Sequence, residues 1–485
     1  MKRIAVIGAG PAGFYAAEAL VKTLGDGVSV DIIERLPTPY GLVRYGVAPD
    51  HQKMKSVTRL YDRTLADPHV RFLGNVEFGT DLTLEDLRRH YHAVILTVGS
   101  SHDRRLGVPG EDLEGSMSAT EFVAWYNSHP DYQDLQVPLG AKTAVVVGVG
   151  NVAIDVTRVL AKTVAELATT DIADHALEHL QSSTIEDIVI IGRRGPAESK
   201  FTTKELRELG ELANADIYVR PEELEVGPES LAGIEGDVNA QKNLEVLRAF
   251  SQQTPSGKPR RVHIRFFLSP LELKGNGHVT SVVLGKNRLE ARPDGSLAAV
   301  PTGATEELNA ELVFRSVGYQ ARPLPGVPFD ERSAIVPNES GRVLDAKGGA
   351  PVPGLYVAGW VKRGPSGVVG TNKSDARETV AALLDLAKHK QIGANFIVEQ
   401  QLAELFEVRD LEGQANLGPA AAFVHARGHA EDMDVARTDH GGQILEQPLA
   451  VPGAHQHIDA VALPALAPPF HRQDALGRAR GQRPQ

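Results

Sequence analysis

The chain has 485 residues, of which 42% are hydrophobic and 23% charged, with a formal net charge of -11 and no cysteine. This length accommodates two or three domains with sizeable cores, and the acidic balance argues against nucleic acid as a general partner. Without cysteine the chain builds neither a C-x-x-C dithiol nor a thiolate-bound iron–sulfur cluster, which excludes thiol-based redox centres of its own.

The first predicted element is an apolar strand at residues 4–7 that starts almost at the N-terminus. This position leaves no room for a targeting segment ahead of the strand. No apolar run in the chain approaches the roughly 18 residues that span a bilayer. We therefore expect a cytoplasmic protein without membrane insertion.

A glycine fingerprint follows this first strand and opens a predicted helix from Pro11 to Leu20. Its glycines are Gly8, Gly10 and Gly13. The backbone amides of such a turn, together with the helix N-terminus, bind a pyrophosphate. Glu34 closes the next apolar run, where an acidic side chain accepts hydrogen bonds from an unphosphorylated ribose. This unit predicts an FAD site.

A second fingerprint, G-V-G-N-V-A at 148–153, lies about 140 residues further on and precedes a predicted helix from Asn151 to Lys162. The strand that follows ends in Arg193 and Arg194. Two guanidiniums at the carboxyl end of a buried strand suit a 2′-phosphate, which predicts NADPH. An extra helical stretch at 162–184 delays that strand beyond the usual spacing, so a solvated arginine pair remains the alternative.

The segment after the arginine pair contains a predicted capping box, with Thr202 as N-cap and Glu205 three residues later. Glu205 is therefore either a helix cap or a contact of the nicotinamide, and the pattern leaves both open. Glu208 is not explained by the cap and is free for a chemical role.

A further buried strand is predicted near 355–359, followed by a glycine-rich stretch at 362–371 and a helix from about Asp375. The second nucleotide unit is thus inserted into the first. We predict an α/β fold of two doubly wound nucleotide-binding domains, the NADPH domain inserted into the FAD domain. The predicted bounds are 1–107 and 325–400 for the FAD domain, 108–324 for the NADPH domain and 401–485 for a divergent tail.

The tail from about residue 426 is rich in Ala, Pro, His and Arg. Its histidines lack the closed spacing of a zinc site, so we predict no metal. Disorder, or a reading-frame change in the source gene, explains the composition more simply.

Four segments carry a resemblance to the adrenodoxin-reductase type of ferredoxin–NADP reductase. They are L-P-T-P-Y-G-L-V-R at 36–44, G-V-A-P-D-H at 46–51, G-R-R-G-P at 192–196 and G-W-V-K-R-G-P-S-G-V-V-G-T-N-K at 359–373. The match runs in order over roughly residues 1–385. It implies a flavoprotein that takes hydride from NADPH and passes single electrons to a ferredoxin-type iron–sulfur protein.

The resemblance also implies site residues. Those matching FAD contacts are Ala12, Glu34, Leu42, Val76, Trp360, Gly367, Val368 and Val369. Those matching NADPH contacts are Val149, Gly150, Asn151, Val152, Arg193, Arg194, Glu205 and Gly367. His51 and Glu208 match the pair near the hydride-transfer centre and are the predicted catalytic residues.

Some of these residues have a second interpretation. Leu42 and Val76 are equally suited to a core, and Trp360 is expected to pack rather than hydrogen-bond, with a buried core tryptophan as the alternative. Val149 departs from the small or polar residue that the family leads us to expect. A side chain at Gly367 would obstruct stacking of the nicotinamide on the flavin.

Two functions stay open at this point. The first is an NADPH-dependent ferredoxin reductase. The second is a flavin electron-transfer module or subunit that resembles the reductase part of glutamate synthase and serves a fixed partner. The second would bring cluster-binding cysteines, which this chain lacks.

Overall fold

A computed structural model describes residues 1–388, so the predicted histidine-rich tail and the end of the second FAD-domain segment lie outside the described residues. The strands, in chain order, are β1 (Lys2–Ile7), β2 (Val28–Ile33), β3 (Val70–Leu73), β4 (Ala93–Leu96), β5 (His102–Asp103), β6 (Ser116–Ser118), β7 (Thr143–Val147), β8 (Asp187–Ile191), β9 (Ala215–Val219), β10 (Arg260–Arg265), β11 (Leu268–Lys274), β12 (Ser281–Ala291), β13 (Leu297–Asn309), β14 (Leu312–Arg315), β15 (Tyr319–Gln320), β16 (Asn338–Glu339), β17 (Arg342–Leu344) and β18 (Pro351–Val357).

The α-helices provide the crossover connections that parallel strands require. In chain order they are α1 (Pro11–Leu24), α2 (Leu42–Tyr45), α3 (Gln52–Lys55), α4 (Thr58–Leu65), α5 (Leu84–His90), α6 (Ala119–Tyr126), α7 (Asn151–Ala161), α8 (Val164–Leu167), α9 (Asp174–Gln181), α10 (Thr203–Gly210), α11 (Pro228–Gly233), α12 (Val238–Ser251), α13 (Trp360–Arg363) and α14 (Thr371–Lys388). No helix within residues 1–388 is long and apolar enough to cross a membrane.

The first sheet combines strands from both ends of the described chain, in the order β16-β17-β18-β4-β1-β2-β3. Strands β3, β2, β1, β4 and β18 run parallel. Their residues alternate between two cores: Ile4 and Val6 face α1 and α14, while Ala5 and Ile7 face the side that α5 covers. A sheet covered on both faces explains why these strands read as continuous apolar runs.

The second sheet, β6-β14-β7-β8-β10-β9, is built entirely from residues 116–315 and is parallel throughout. Its strands fall in sequence between the two parts of the first sheet. The predicted fold class, with one doubly wound unit inserted into another, is therefore confirmed. The residue numbers chosen for the domain boundaries remain predictions.

A third, antiparallel sheet, β11-β12-β13, was not expected from the sequence. It follows β10 directly, and its register shifts at a bulge between Gly285 and Asn287. Much of β13 is exposed, so its sequence lacks the apolar alternation from which a strand is predicted.

Predicted and observed elements agree closely around the two fingerprints. Helix α7 ends at Ala161, one residue before the predicted end, and α8 and α9 account for the predicted helical stretch at 162–184. Helix α14 begins at Thr371, four residues ahead of the predicted Asp375. The difference places the start of α14 at the end of the glycine-rich loop.

Candidate functional site

The first fingerprint, Glu34 and Trp360 lie at one edge of the first sheet. They follow β1, β2 and β18, whose parallel pairing brings their carboxyl ends together. The Gly8 N–H donates to the carbonyl of Ile33 at 2.7 Å, which ties the turn after β1 to the end of β2. This is the edge at which open α/β sheets bind ligands.

Glu34 is held by backbone donors on two sides. The Ala9 N–H donates to Oε2 at 2.9 Å and the Leu36 N–H to Oε1 at 3.2 Å. Burial raises the pKa of Glu34, and these backbone hydrogen bonds act against the rise. A carboxylate fixed in this way keeps free lone pairs for ribose hydroxyls.

Two glycines of the first fingerprint have different steric roles. A Cβ on Gly13 would lie 2.2 Å from the Gly8 carbonyl oxygen, so glycine there allows α1 to approach β1. A Cβ on Gly10 would meet nothing within 4 Å, and Gly10 caps α1 without a side-chain hydrogen bond. The first-turn amides of α1 therefore face open space suited to a phosphate.

The loop between α13 and α14 is shaped by Trp360 and Gly367. Trp360 is half-buried and its Nε1–H donates to the Ser366 carbonyl at 3.1 Å. The alternative of a buried core tryptophan is therefore wrong, and the expectation of packing without hydrogen bonding misses this bond to the loop. Gly367 has φ of 79°, and a Cβ there would lie 2.6 Å from Thr371 Oγ1, so the backbone alone requires glycine.

The remaining predicted flavin contacts divide between the loops at this edge. Ala12 lies in α1 beside Gly359, where a Cβ would approach its methyl group to 2.7 Å. Leu42 is half-buried at the start of α2, and Val76 is half-buried with its N–H donating to the Glu34 carbonyl at 3.0 Å. Val368 is 64% exposed. The structure places these residues without testing their contact with FAD.

An arginine at the same edge keeps two buried donors without a partner among residues 1–388. These atoms are Nε and Nη1 of Arg363, whose Nη2 donates to Asn372 at the start of α14. Buried guanidinium nitrogens are ordinarily satisfied. The orphaned donors, the open amides of α1 and the held carboxylate of Glu34 together fit a large anionic cofactor such as FAD.

The second fingerprint repeats this geometry at the start of α7. Gly150 caps the helix without a side-chain hydrogen bond, and a Cβ there would meet nothing within 4 Å. Asn151 Oδ1 accepts from the Thr202 N–H at 2.8 Å, and the Val149 carbonyl accepts from the Lys200 N–H at 2.8 Å. Val149 and Val152 are partly buried and pack against the domain core, so the side chain of the unexpected valine at 149 has a packing role.

Arg193 and Arg194 follow β8, adjacent to this fingerprint. Arg193 is exposed and Arg194 half-buried, and neither guanidinium has a hydrogen bond or an ion pair within the described part of the chain. Two unneutralised guanidiniums at the carboxyl edge of the sheet fit the 2′-phosphate of NADPH.

His51 and Glu208 meet across the boundary between the two sheets. His51 Nε2 lies 3.0 Å from Glu208 Oε2 and 3.3 Å from Glu205 Oε2, while Nδ1 lies 4.0 Å from Asp155 Oδ1. Because Nε2 faces acceptors only, the imidazole carries a proton on that nitrogen. The predicted pairing of His51 with Glu208 is thus present as a contact.

Thr202 and Glu205 divide the predicted capping box. Thr202 caps α10 by accepting from the Glu205 N–H at 3.4 Å. The Glu205 carboxylate does not return to the cap, since Oε2 accepts from Arg158 Nη1 at 2.8 Å. The interpretation of Glu205 as the second half of a capping box is therefore wrong, because a buried cation competes for its carboxylate.

Arg158, which the sequence analysis did not single out, is the hub of this cluster. It is 1% exposed and its three nitrogens contact the carboxylates of Asp50, Asp155, Glu205 and Glu208 at 2.7–3.1 Å. Asp155 and Arg158 are three residues apart in α7, a spacing that puts both on one helix face. The spacing of Asp155 and Arg158 was the sequence signal available for this cluster, together with the acidic Asp50 in the G-V-A-P-D-H segment at 46–51.

The carboxyl groups of this cluster have pKa values shifted in opposite directions. Burial raises the pKa of Asp155 to about 6, against partial compensation by Arg158. For Asp50 and Glu208 burial also acts to raise the pKa, but hydrogen bonds from Arg158 and Lys162 to Asp50, and from His51 and Lys204 to Glu208, leave both below their ordinary values. Of Asp50, Asp155 and Glu208, Asp155 is therefore the one whose pKa is raised toward neutral pH.

His51, Glu205 and Glu208 also present ligand atoms within 4.8 Å of one another, a spacing that a metal ion would accept. Arg158 Nη1 already contacts Oε2 of both glutamates, at 2.8 and 3.1 Å. The guanidinium thus supplies the positive charge that these carboxylates need.

Comparisons with known proteins agree with this geometry. A family model described as pyridine nucleotide-disulphide oxidoreductase matches residues 2–190. The chain is 47% identical over 386 residues to the NADPH-ferredoxin reductase FprA of Mycobacterium leprae, covering 79% of this chain and 83% of that protein. It is 43% identical over 392 residues to the mitochondrial NADPH:adrenodoxin oxidoreductase of Arabidopsis thaliana, covering 78% and 81%.

A solved structure is similar over the same region. FprA from Mycobacterium tuberculosis in complex with NADPH has a TM-score of 0.80 and 44% sequence identity to the chain. The similarity covers 84% of this chain and 90% of that one.

Proposed function

The chain belongs to the adrenodoxin-reductase-type NADPH-ferredoxin reductases, and from that membership we propose that it takes hydride from NADPH and passes single electrons to a ferredoxin-type iron–sulfur protein. The observation that carries the proposal is the contrast between the two nucleotide turns. A held carboxylate, Glu34, stands beside the first turn, and Arg193 and Arg194, whose guanidiniums have no partner among residues 1–388, stand beside the second.

FAD is held at the edge of the first sheet. The α1 amides bind its pyrophosphate, Glu34 binds the adenosine ribose, and the loop around Trp360 and Gly367 supports the ring. When bound, FAD supplies the ability to accept two electrons together and release them one at a time. Ala12, Leu42, Val76, Val368 and Val369 are the other proposed contacts.

NADPH is held at the second sheet by the amides of residues 149–152 and by the arginine pair. Charge-assisted hydrogen bonds from two guanidiniums favour a 2′-phosphate over a bare ribose. Glu205 and Gly367 are the proposed contacts at the nicotinamide end.

His51 and Glu208 hold a proton beside the proposed reaction centre. The proton on His51 Nε2 faces Glu208 Oε2 at 3.0 Å, and Lys204 Nζ contacts the other oxygen of Glu208 at 3.0 Å. This arrangement fixes the imidazole ring and lets a proton move between His51 and the carboxylate. The proposed role is proton traffic that accompanies electron transfer.

Steady-state reduction of a plant-type or bacterial ferredoxin by the isolated chain tests the function. The purified protein is expected to be yellow, to release FAD on denaturation and to reduce ferredoxin much faster with NADPH than with NADH. Release of FMN, or activity only with a fixed partner subunit, would contradict the proposal. The second outcome would favour the glutamate-synthase-like module.

A cytoplasmic location is part of the same proposal. Relatives from Arabidopsis thaliana and Salvelinus fontinalis are named as mitochondrial, so family membership alone does not decide the cellular location. Cell fractionation with activity measured in each fraction tests it.

A further inference from the structure

The turn that carries Arg193 and Arg194 is braced from outside its own βαβ unit. All three carbonyls of Gly192, Arg193 and Arg194 accept hydrogen bonds from residues that lie after β10. The Leu268 N–H donates to Gly192 at 2.9 Å and the Phe267 N–H to Arg194 at 3.1 Å. The turn therefore depends on the third sheet.

The Arg193 carbonyl differs from the other two because its donor is a side chain rather than a backbone N–H. Asn287 Nδ2 donates to the Arg193 carbonyl at 2.9 Å, and the same amide nitrogen contacts Ser269 Oγ at 2.8 Å. The Asn287 N–H donates to the Phe267 carbonyl at 2.8 Å. Asn287 thus joins β12, β11 and the arginine turn through one half-buried residue.

Two irregularities of the backbone bring Asn287 to this position. The pairing of β12 with β13 shifts at the bulge between Gly285 and Asn287. Phe267 has φ of 59°, which is uncommon for a bulky residue. Bulges re-aim side chains and strained residues gather at functional sites, so both features are the expected means of directing an amide onto a ligand-binding turn.

The brace leaves the arginine side chains free. Within residues 1–388 the carbonyls on this turn are paired while the guanidiniums of Arg193 and Arg194 make no ion pair or hydrogen bond. A backbone fixed in this way lowers the conformational entropy that two long side chains lose when they bind a phosphate.

We infer that Asn287 is a positioning residue for coenzyme selectivity: it acts through the Arg193 carbonyl to hold the arginine pair for the 2′-phosphate. The inference rests on the proposed NADPH site. It predicts an effect on ligands with a 2′-phosphate and none on ligands without one.

Calorimetric titration of FAD-loaded Asn287→Ala with 2′,5′-ADP and with 5′-AMP tests the inference. Losing one orienting hydrogen bond is expected to weaken 2′,5′-ADP about three- to tenfold. Affinity for 5′-AMP, and kcat at saturating NADPH, are expected to stay unchanged while KM for NADPH rises. Unchanged affinity for 2′,5′-ADP would overturn the inference.

Ser281→Ala is the matched control. Ser281 lies at the other end of β12 and donates to Glu307 Oε1 at 2.6 Å, so its loss disturbs the same strand without touching the arginine turn. We expect this variant to bind 2′,5′-ADP as the wild type does. An equal loss in both variants would show a general effect of the sheet and overturn a specific role for Asn287.

Arg193→Ala with Arg194→Ala separates failure of the inference from failure of the proposed site. If the arginine pair binds the phosphate, the double variant loses its preference for 2′,5′-ADP over 5′-AMP, and adding Asn287→Ala has no further effect. A double variant that keeps the preference would overturn the proposed site itself. If the double variant has lost this preference and adding Asn287→Ala lowers its affinity for 2′,5′-ADP further, only the positioning role of Asn287 is overturned.

Discussion

Single residues in the cluster around Arg158 have distinct electrostatic roles although they share one cation. Asp50 and Asp155 both contact Arg158 Nη2, at 2.7 and 3.0 Å. Asp50 has a second cation, Lys162, at 2.6 Å, whereas the only other basic group near Asp155 among the described residues is His51, whose Nδ1 lies 4.0 Å away. Burial therefore prevails at Asp155 and charge pairing at Asp50.

His51→Gln is expected to slow reduction of bound flavin by NADPH about tenfold, because a glutamine amide donates a hydrogen bond but cannot exchange a proton as an imidazole does. Glu208→Ala should act in the same direction by removing the acceptor 3.0 Å from Nε2. Stopped-flow absorbance across a range of pH measures both, with FAD content checked first. Wild-type rates and pH profiles in the flavin-retaining variants would leave the pair a structural role only.

Asp155→Asn is expected to change how stability depends on pH. A carboxyl group whose pKa is raised to about 6 in the folded chain favours folding in its protonated form, and this contribution is lost as pH rises through 6. Relative to wild type, the variant should gain on the order of 2 kcal/mol between pH 5 and 7.5. Denaturant titrations at several pH values measure the gain.

Glu208→Gln is the control of opposite sign. The pKa of Glu208 is lowered, so its contribution to stability is present above the ordinary glutamate pKa and is lost on acidification. This variant should be less stable than wild type near neutral pH, with the difference shrinking at lower pH. Parallel pH profiles for the two variants would contradict the assignment of Asp155 as the raised group.

At the scale of elements, the fingerprint turns were predictable because glycine spacing and strand periodicity are local signals. The third sheet was not, since β13 is largely exposed and its strand character comes from pairing with β12. Arg158 and Asn287 were also missed. Their contacts with Glu205 and Arg193 join residues 47 and 94 positions apart, which no local pattern encodes. The i,i+3 spacing of Asp155 and Arg158 was the one local signal for the buried arginine.

Helix α1 offers a matched pair of substitutions at one fingerprint. Gly13→Ala puts a Cβ 2.2 Å from the Gly8 carbonyl oxygen and should force α1 away from β1, lowering the melting temperature. Gly10→Ala meets no protein atom within 4 Å at an ordinary φ of -83° and should fold normally. It should nevertheless retain less FAD, because a methyl group blocks approach of the pyrophosphate.

Thermal melting and the ratio of bound FAD to protein distinguish the two variants. Normal FAD content in Gly10→Ala would place the pyrophosphate away from α1. A normal melting temperature in Gly13→Ala would mean that the close approach of α1 to the Gly8 carbonyl does not support the fold.

At the scale of the whole molecule, the net charge of -11 would repel a partner that is itself acidic. Six basic residues of the inserted domain are candidates for a docking surface, with a scattered solvated surface as the alternative: Arg207, Lys242, Arg248, Lys258, Arg260 and Arg261. Three of them already have partners within the chain. Lys258 and Arg260 donate to backbone carbonyls of Leu212 and Leu160, and Arg261 pairs with Asp187 at 2.6 Å.

The other three basic residues, Arg207 on α10 and Lys242 and Arg248 on α12, are exposed and have no ion pair within residues 1–388. Helices α10 and α12 pack against each other, so these three charges lie on two neighbouring helices of an otherwise acidic chain, and we propose that they contribute to docking. A local patch of this kind steers an acidic partner even when the net charge is unfavourable.

Reversal of each of these three residues to Glu should lower kcat/KM for ferredoxin several-fold at low salt and leave NADPH oxidation with a small acceptor unchanged. The effect should shrink as salt shortens the Debye length from about 10 Å at 0.1 M toward 3 Å at 1 M. Lys347→Glu, at an exposed position in the FAD domain, makes the same change in net charge and should have little effect. Equal losses in Lys347→Glu and the three reversals would mean that net charge, not this surface, governs the encounter.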